Sequence, residues 1–239
     1  MAKPNKFAVF DIDGTLIRWQ LYHAIADALA RLGYFDSEKF SQVRQARMIW
    51  KQRASDQSFK AYEGQLVTSY EAILGQLTVD QFEEAVDLVF DEYKDQVYAY
   101  TRDLLKSLKD EGYLLFAISN SQIEIVNKIA DYYGFDDCIG AVYGRSGNKF
   151  NGQKTVYLTD KDRILKELVT KHKADWEGSI AVGDSASDIS MLSIVERPIA
   201  FNPEKKLFEA ARTKGWEIVL ERKNVTYQLK DVDGKYLLA

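Results

Sequence analysis

The pattern of apolar and polar residues changes twice along the chain. A short apolar run at 6–10 predicts a β-strand, and it ends in the acidic segment Asp11-Ile-Asp-Gly-Thr15. Residues 16–97 contain few strand-like runs and have the apolar spacing of amphipathic helices. From Thr101 onward, short apolar runs alternate with helical segments. The later predicted strands lie at 113–118, 138–143, 179–182, 198–201 and 216–220.

This alternation predicts an α/β fold. Strands that alternate with helices favour right-handed crossovers and a parallel sheet covered on both faces, which is a three-layer, Rossmann-like core. The helical block interrupts that core after its first strand. We therefore predict a core in two pieces, 1–16 and 99–239, and an inserted all-helical cap at 17–98. The predicted cap helices lie at 19–32, 38–53, 59–74 and 79–98.

Three local patterns add detail to this layout. Ser121 is predicted to open a helix, with Glu124 three residues later as its partner in a capping box. Residues 149–157 predict a β-hairpin that turns at Asn151-Gly152. Residues 225–238 predict a second hairpin, which either extends the sheet or contacts a partner subunit.

The segment after the first strand carries candidate chemistry. Asp11 and Asp13 are two residues apart at the carboxyl edge of the sheet, and a turn there can direct both carboxylates to one point. Two like charges ~4 Å apart cost about 4 kcal/mol at an effective dielectric of 20. Such a pair indicates a bound cation, and oxygen ligands favour Mg²⁺.

A simple turn is the alternative, because Asp-Gly pairs are common in turns. The chain contains a second copy of the pattern, Asp231-Val-Asp-Gly234. This copy lacks the threonine and lies between two strand-like runs, so we predict a hairpin turn there.

Three later positions support the functional interpretation of the first copy. Ser119 and Asn120 follow an apolar strand, where a hydroxyl and free backbone N–H groups can bind phosphate oxygens. Lys161 lies in the first turn of a predicted helix, a position that the helix dipole does not favour for a cation. Asp184 ends another strand, and Asp188 lies one helical turn later on the same face.

Each of these positions has a plainer interpretation. Ser119 and Asn120 could simply precede a capped helix, and Lys161 could be a surface lysine. Three other lysines compete for its role, namely Lys149, Lys154 and Lys166. The whole set, taken in order, favours the functional interpretation.

With these four motifs in order, the chain resembles the haloacid dehalogenase superfamily of phosphohydrolases. The segments that match are Asp11-Ile-Asp-Gly-Thr15, Ser119, Lys161 and Gly183-Asp-Ser-Ala-Ser-Asp188. The helical insert after the first motif resembles the cap of the branch that contains phosphoserine phosphatases.

The resemblance implies a role for each matched acidic residue. Asp11 would be the nucleophile that forms an aspartyl-phosphate, and Asp13 would protonate the leaving oxygen and then activate water. The Asp11 and Asp184 carboxylates and the main-chain carbonyl of Asp13 would hold Mg²⁺. Asp188 would support the metal site or Lys161 without itself binding the metal.

The resemblance also implies a phosphate-binding set. Ser119 and Lys161 would bind the phosphoryl oxygens, with Asn120 and Thr15 beside them. The implied activity is a magnesium-dependent hydrolysis of a small phosphomonoester.

The segment after the first motif bears on the substrate. Phosphoserine phosphatases have a glutamate there that binds the substrate amine, whereas this chain has the neutral Gln20. We therefore expect a substrate without a free amine. Arg18, Arg44 and Arg47 are candidates for recognition of a second anionic group, and a solvated helix face is the alternative for the basic run that also includes Lys51 and Arg53. The aromatic residues Trp19, Tyr22, Trp50 and Tyr62 are expected to be core more often than substrate contacts.

Composition excludes several classes of protein. The net charge of −4 argues against a nucleic-acid or anionic-membrane partner. No apolar run approaches the roughly 20 residues of a membrane span, and the polar start does not have the pattern of a signal peptide. Cys138 is the only cysteine, which fits a reducing cytoplasm. The sequence does not indicate an oligomeric state.

Other functions share parts of this pattern. A phosphotransferase or phosphomutase would use the same aspartyl-phosphate, and a regulatory protein could bind a phospho-ligand without hydrolysis. A dinucleotide-binding oxidoreductase fits the alternating pattern, but no Gly-x-Gly-x-x-Gly follows the first strand.

Overall fold

The computed structural model describes residues 5–35, 37–52, 55, 57–156, 160–232 and 234–238, with only the backbone of 37–39. The strands are β1 Lys6–Phe10, β2 Leu114–Gln122, β3 Asp137–Ser146, β4 Lys149–Thr155, β5 Asp175–Gly183, β6 Arg197–Phe201, β7 Glu217–Arg222, β8 Val225–Val232 and β9 Lys235–Leu238. The helices are α1 Leu21–Arg31, α2 Ser37–Lys51, α3 Ser58–Leu74, α4 Val79–Tyr93, α5 Ala99–Asp110, α6 Ile123–Tyr133, α7 Lys161–His172, α8 Ile189–Leu192 and α9 Lys205–Lys214.

The chain forms two compact units. The first, here called the core unit, contains Met1–Gln20, Tyr93–Ala141 and Val156–Ala239. The second, here called the helical unit, contains Leu21–Glu92 and Val142–Thr155. Within the described ranges, every helix is too short or too polar to cross a lipid bilayer.

The core unit is built on a parallel sheet. Its strand order is β3-β2-β1-β5-β6-β7-β8-β9. The strands from β3 to β7 in this order pair in parallel, and β8 and β9 are added antiparallel. Central strands such as β1, in which Phe7–Phe10 are buried, are covered on both faces, as their apolar composition requires. The predicted α/β fold is confirmed.

The order of the central strands positions the candidate site. β1 lies between β2 and β5, and all three run in the same direction. The residues that follow or end these strands therefore meet at one edge of the sheet. The N–H of Asp11 still donates to Val182 O at 2.9 Å, so Asp11 prolongs the pairing of β1 with β5.

The helical unit contains α1, α2, α3 and nearly all of α4. Its interior holds an aromatic cluster around His23, in which Trp50 and Tyr62 stack with ring centroids 5.5 Å apart. The His23 ring contacts Tyr62 edge-on, and its Nδ1 lies 3.4 Å from the Tyr62 hydroxyl. Tyr62 is buried, in agreement with the expectation that it is core, and Trp50 is half-buried against it.

The composition of this unit corrects the prediction of an all-helical cap at 17–98. Residues 142–155 belong to the helical unit and form a β-hairpin from the end of β3 and β4. The hairpin turns at 147–148, and the predicted turn at Asn151-Gly152 lies inside β4 instead. Phe150 is buried against Phe82 of α4, with ring centroids 5.2 Å apart, and this apolar contact explains why the hairpin belongs with the helices.

The boundaries of the insert also differ from the prediction. Arg18 N–H donates to Gln96 O at 2.8 Å, and Tyr98 N–H donates to Leu16 O at 3.0 Å. These hydrogen bonds hold 16–18 and 96–98 together as part of the core unit. The helical unit therefore begins at Leu21 rather than at residue 17, and its first segment ends at Glu92 rather than at residue 98.

Two local predictions have opposite outcomes. The hairpin predicted for 225–238 is confirmed as β8 and β9, and the Tyr236 hydroxyl anchors it at 2.9 Å from both Ala211 O and Trp216 O. Asp233 lies outside the described residues. The capping box at Ser121 is wrong, because β2 continues through Gln122 and α6 begins at Ile123 without a side-chain cap.

The environment of His23 predicts a pH-dependent stability. Burial, together with the charge of Arg47, lowers the pKa of His23 from 6.5 to about 4. The folded protein therefore keeps His23 neutral while the unfolded chain protonates it below pH 6.5. This contribution to stability is present above pH 6.5 and is lost as the pH falls, by about 3 kcal/mol at pH 4.

Urea unfolding of the native protein and of His23→Asn between pH 7 and pH 4 measures this effect. The native protein should lose more of its free energy of unfolding than the variant, by about 3 kcal/mol over that interval. Parallel curves for the two proteins would show that His23 does not titrate in this way.

Candidate active site

A buried lysine lies at the centre of the candidate site in the core unit. Lys161, the first residue of α7, is fully buried. Its Nζ donates to Asp11 Oδ1 at 2.7 Å, to Ile118 O at 2.9 Å and to Asp188 Oδ1 at 2.6 Å. An ammonium has three N–H donors, so each has an acceptor. Burial favours the neutral form of Lys161, but the two carboxylates outweigh it and raise the pKa of the lysine.

The other lysines that competed for this role have different surroundings. Lys166 is exposed and pairs with Asp162 along α7. Lys154 lies in the helical unit, where it pairs with Glu71. Lys149 starts β4 in the same unit. The structure therefore brings Lys161 to the candidate site, as the sequence predicts.

Asp188 connects Lys161 to the end of β5. Its Oδ2 accepts from the main-chain N–H groups of Asp184 and Ser185 at 3.1 and 2.9 Å, and from the Ser185 hydroxyl at 3.0 Å. The side chain packs directly over Gly183, where a Cβ atom would lie 2.5 Å from the Cβ of Asp188. Glycine at 183 thus allows the carboxylate to reach both the strand end and Lys161.

Asp184 lies beside Asp11 and next to a glycine with a left-handed backbone. Gly14 has φ +80°, and the side-chain carboxylate of Asp184 occupies the space that a Cβ on this glycine would need. Asp11, Asp184 and Asp188 each place one carboxylate oxygen so that the three atoms lie within 4.8 Å of one another. The acidic residues of the first and fourth motifs therefore meet, as predicted.

The electrostatics of this group favour a cation. Burial, with the neighbouring carboxylates, raises the pKa of Asp11 from 3.8 to about 7 despite the opposing effect of Lys161. Burial and the charge of Asp11 raise the pKa of Asp184 well above 3.8. Carboxylate oxygens at this spacing match the hard ligands of Mg²⁺, and a divalent ion would offset the repulsion between them. Asp188 already accepts from Lys161 and three other donors, so Asp11 and Asp184 are the better ligands.

Two serine hydroxyls bind Asp13. The Ser119 hydroxyl donates to Asp13 Oδ2 at 2.6 Å, and the Ser121 hydroxyl donates to Asp13 Oδ1 at 3.0 Å. Ser119 Oγ in turn accepts from the N–H of Ser121 at 2.9 Å. Ser121 is a site residue that the sequence pattern does not predict, since its local sequence indicates a helix cap instead. The i, i+2 spacing of the two serines on one strand, which places them on the same face, is the signal that could have found it.

Two further predicted residues present polar atoms that the described residues leave without a hydrogen-bond partner. Thr15 Oγ1 and Asn120 Oδ1 are both buried in this way. The main-chain carbonyl of Thr15 accepts from the Thr101 hydroxyl at 2.8 Å, which fixes the loop after β1. The Thr15 hydroxyl remains a candidate donor to a ligand.

Gln20 and Arg18 lie in the core unit after the first motif. Gln20 Nε2 lies 3.4 Å from the position of a Cβ on Gly14, so its amide is at the rim of the acidic group. Arg18 instead pairs with the buried carboxylate of Glu221 at 2.8 Å and lies over the ring of Tyr98. Arg18 is therefore engaged within the protein.

The remaining basic candidates belong to the helical unit. Arg47 pairs with Asp27 at 2.9 Å, and Arg44 lies over the ring of Phe40 on α2. Lys51 is exposed, and Arg53 lies outside the described residues. Arg44 and Lys51 are exposed, as on a solvated helix face, whereas Arg47 is half-buried in its ion pair.

The two buried ion pairs of Lys161 predict how much the free energy of unfolding falls when this lysine is replaced. Lys161→Met leaves Asp11 and Asp188 without their cation and should lower the free energy of unfolding by about 3–5 kcal/mol. Lys166→Met, on the same helix, removes an exposed ion pair and should cost less than about 1 kcal/mol. Urea unfolding at pH 7 measures both values, and similar costs for the two variants would contradict the assigned role of Lys161.

Comparison with known proteins agrees with this geometry. Residues 8–193 match the family model of haloacid dehalogenase-like hydrolases. A phosphoserine phosphatase of Methanocaldococcus jannaschii is 25% identical over 238 residues, which cover 96% of this chain and 99% of that protein. The phosphoserine phosphatase SerB1 of Mycobacterium tuberculosis is 25% identical over 215 residues, covering 88% of this chain and 69% of its own.

Solved structures share the fold. A protein of unknown function from Bordetella pertussis has a TM-score of 0.71 at 18% identity and covers 90% of this chain and 98% of its own. A phosphoserine phosphatase solved as a phospho-aspartyl intermediate analogue has a TM-score of 0.64 at 22% identity, with 92% and 95% covered. The family match covers the last three residues of β1, parts of both units and the acidic residues around Lys161. This chain therefore belongs to the haloacid dehalogenase-like hydrolases, and several of the proteins that it resembles are named phosphoserine phosphatases.

Proposed function

We propose that the protein is a magnesium-dependent phosphatase that hydrolyses a small phosphomonoester through an aspartyl-phosphate on Asp11. The main support is the buried contact between Lys161 and Asp11, with Asp184 beside them. Several relatives are named phosphoserine phosphatase, which supports the same class of reaction. Buried carboxylates whose oxygens lie within 4.8 Å of one another are typical of a functional site, and phosphoryl transfer is a reaction that uses them.

The residues divide the reaction into two displacements. An Asp11 carboxylate oxygen attacks phosphorus, and the bond from phosphorus to the ester oxygen breaks as that oxygen takes a proton from Asp13. Water then attacks phosphorus, Asp13 takes the proton of that water, and the bond to Asp11 breaks to restore the carboxylate. The Ser119 hydroxyl binds a phosphoryl oxygen in place of Asp13, and the Lys161 ammonium binds one by exchanging one of its three present acceptors, with Thr15 and Asn120 as further contacts.

A magnesium ion fits the donor set of this proposal. The carboxylates of Asp11 and Asp184 and the main-chain carbonyl of Asp13 would hold it, and it would neutralise charge on the phosphoryl group. Asp188 would not bind the ion itself, because its oxygens accept hydrogen bonds from Lys161 and from the main-chain N–H groups at 184–185.

The substrate of this proposal lacks a free amine. Gln20, at the rim of the acidic group, can donate and accept hydrogen bonds but carries no charge to balance an ammonium. The relatives named phosphoserine phosphatase act, by name, on an amine-bearing ester. We propose that this chain prefers a different phosphomonoester.

Removal of the nucleophile tests the reaction. Asp11→Asn should lower hydrolysis of p-nitrophenyl phosphate by about four orders of magnitude or more, because the amide cannot form the covalent intermediate. Asp231→Asn is the matched control, since Asp231 begins the second Asp-x-Asp-Gly pattern in an exposed hairpin, and it should leave the rate unchanged. Excess chelator should abolish the activity of the native protein, and Mg²⁺ should restore it.

Release of inorganic phosphate with water as the acceptor is the measurement. Substantial hydrolysis by Asp11→Asn would remove Asp11 as the nucleophile. Phosphate transfer that requires a second alcohol would indicate a phosphotransferase, and no turnover over a broad panel of phosphomonoesters would favour a binding protein.

A change at Gln20 tests the substrate class. Gln20→Glu supplies a carboxylate for an ammonium, and a charge-assisted hydrogen bond of this kind contributes about 1.5–3 kcal/mol. The ratio of kcat/KM for phosphoserine to kcat/KM for the phosphate ester of 3-hydroxypropionate should rise about tenfold or more. The second ester is phosphoserine without its amine, so it controls for general effects on the site. An unchanged ratio would mean that Gln20 does not face the substrate.

A further inference from the structure

Ser121 is a buried hydroxyl in direct contact with the proposed acid. It is 2% exposed, and it donates to the Asp13 carboxylate at the oxygen opposite the one that Ser119 contacts. Ser119 and Ser121 point from one face of the end of β2. Each oxygen of Asp13 therefore has its own hydroxyl donor.

The backbone around Ser121 has an irregular strand pairing and lies close to the neighbouring strand. The pairing of β2 with β3 shifts between Ile118 and Gln122, so four steps along β2 span only two along β3. This irregularity brings the main chain of β2 close to Gly140. A Cβ there would lie 2.9 Å from Ser121 O and 2.8 Å from the Cα of Ile123. Glycine at 140 is thus required by a close approach of the backbone at Ser121.

The two hydroxyls cannot keep the same roles during the reaction. A serine hydroxyl has one proton to donate. Ser119, under the proposed function, donates that proton to a phosphoryl oxygen, so it must release Asp13 Oδ2 when the substrate binds. Ser121 contacts the other oxygen, Asp13 Oδ1, and this contact can persist when Ser119 turns to the phosphoryl group. Oδ2 then carries the proton that the leaving oxygen takes.

We propose that Ser121 is a positioning residue that holds the Asp13 carboxyl group toward the leaving oxygen while Ser119 binds the phosphoryl group. This inference rests on the proposed function. In the first displacement, the proton on Asp13 Oδ2 passes to the ester oxygen as its bond to phosphorus breaks, and Oδ1 keeps the hydrogen bond from Ser121. In the second displacement, Oδ2 takes the proton of the attacking water.

The dependence on the leaving group tests this role. A p-nitrophenolate leaves without a proton, whereas the alkoxide of glycerol phosphate needs one. In Ser121→Ala, kcat/KM for glycerol phosphate should fall about tenfold to a hundredfold more than kcat/KM for p-nitrophenyl phosphate. Asp13→Asn should show a larger difference of the same sign. Ser107→Ala, on the exposed surface of α5, should change neither value.

A conservative variant separates positioning from packing. Ser121→Thr keeps the hydroxyl on an extended strand and should restore the native ratio of the two substrates, even if its thermal stability differs. An equal loss on both substrates in Ser121→Ala, or no loss on either, would overturn the role of Ser121. A native protein that hydrolyses neither ester would instead overturn the proposed function, so the two failures are distinguishable.

Discussion

The candidate site depends on the three hydrogen bonds of one buried ammonium. Lys161 Nζ bonds to Asp11, to Asp188 and to the carbonyl of Ile118, which joins the first helical turn of α7 to β1, β2 and the segment after β5. A buried carboxylate without a partner costs several kcal/mol, and the lysine compensates two of them. Lys161 does not neutralise all of the negative charge near Asp184, and a divalent ion would neutralise the remainder.

Much of this arrangement is predictable from the sequence because it follows from parallel topology. Strands such as β1 and β5 have apolar runs that end in acidic residues, and neighbouring parallel strands end at one edge. The positions of Asp11 and Asp184 follow directly from that rule. The position of Lys161 is signalled by a cation at a helix N-terminus, which is electrostatically unfavourable without an anion nearby.

Other features depend on contacts between distant segments and leave a weak trace in the local pattern. Ser121 has the local sequence of a helix cap, but β2 continues through Gln122 and places Ser121 on the same face as Ser119, toward Asp13. The local sequence predicts the hairpin turn at Asn151-Gly152, whereas the structure has it at 147–148, because Asn-Gly is the stronger local turn signal. The burial of Phe150 against Phe82 then decides which unit the hairpin joins.

Because the hairpin at 142–155 belongs to the helical unit, this unit cannot be exchanged as one continuous segment. The chain passes between the two units after residues 20, 92, 141 and 155, so the unit is encoded by two separate segments. Excision of 21–92 would leave 142–155 behind, with Phe150 deprived of the helix that covers it. Replacement by the corresponding unit of a relative therefore requires both segments to come from the same donor, since each segment supplies one partner of the contact between Phe82 and Phe150.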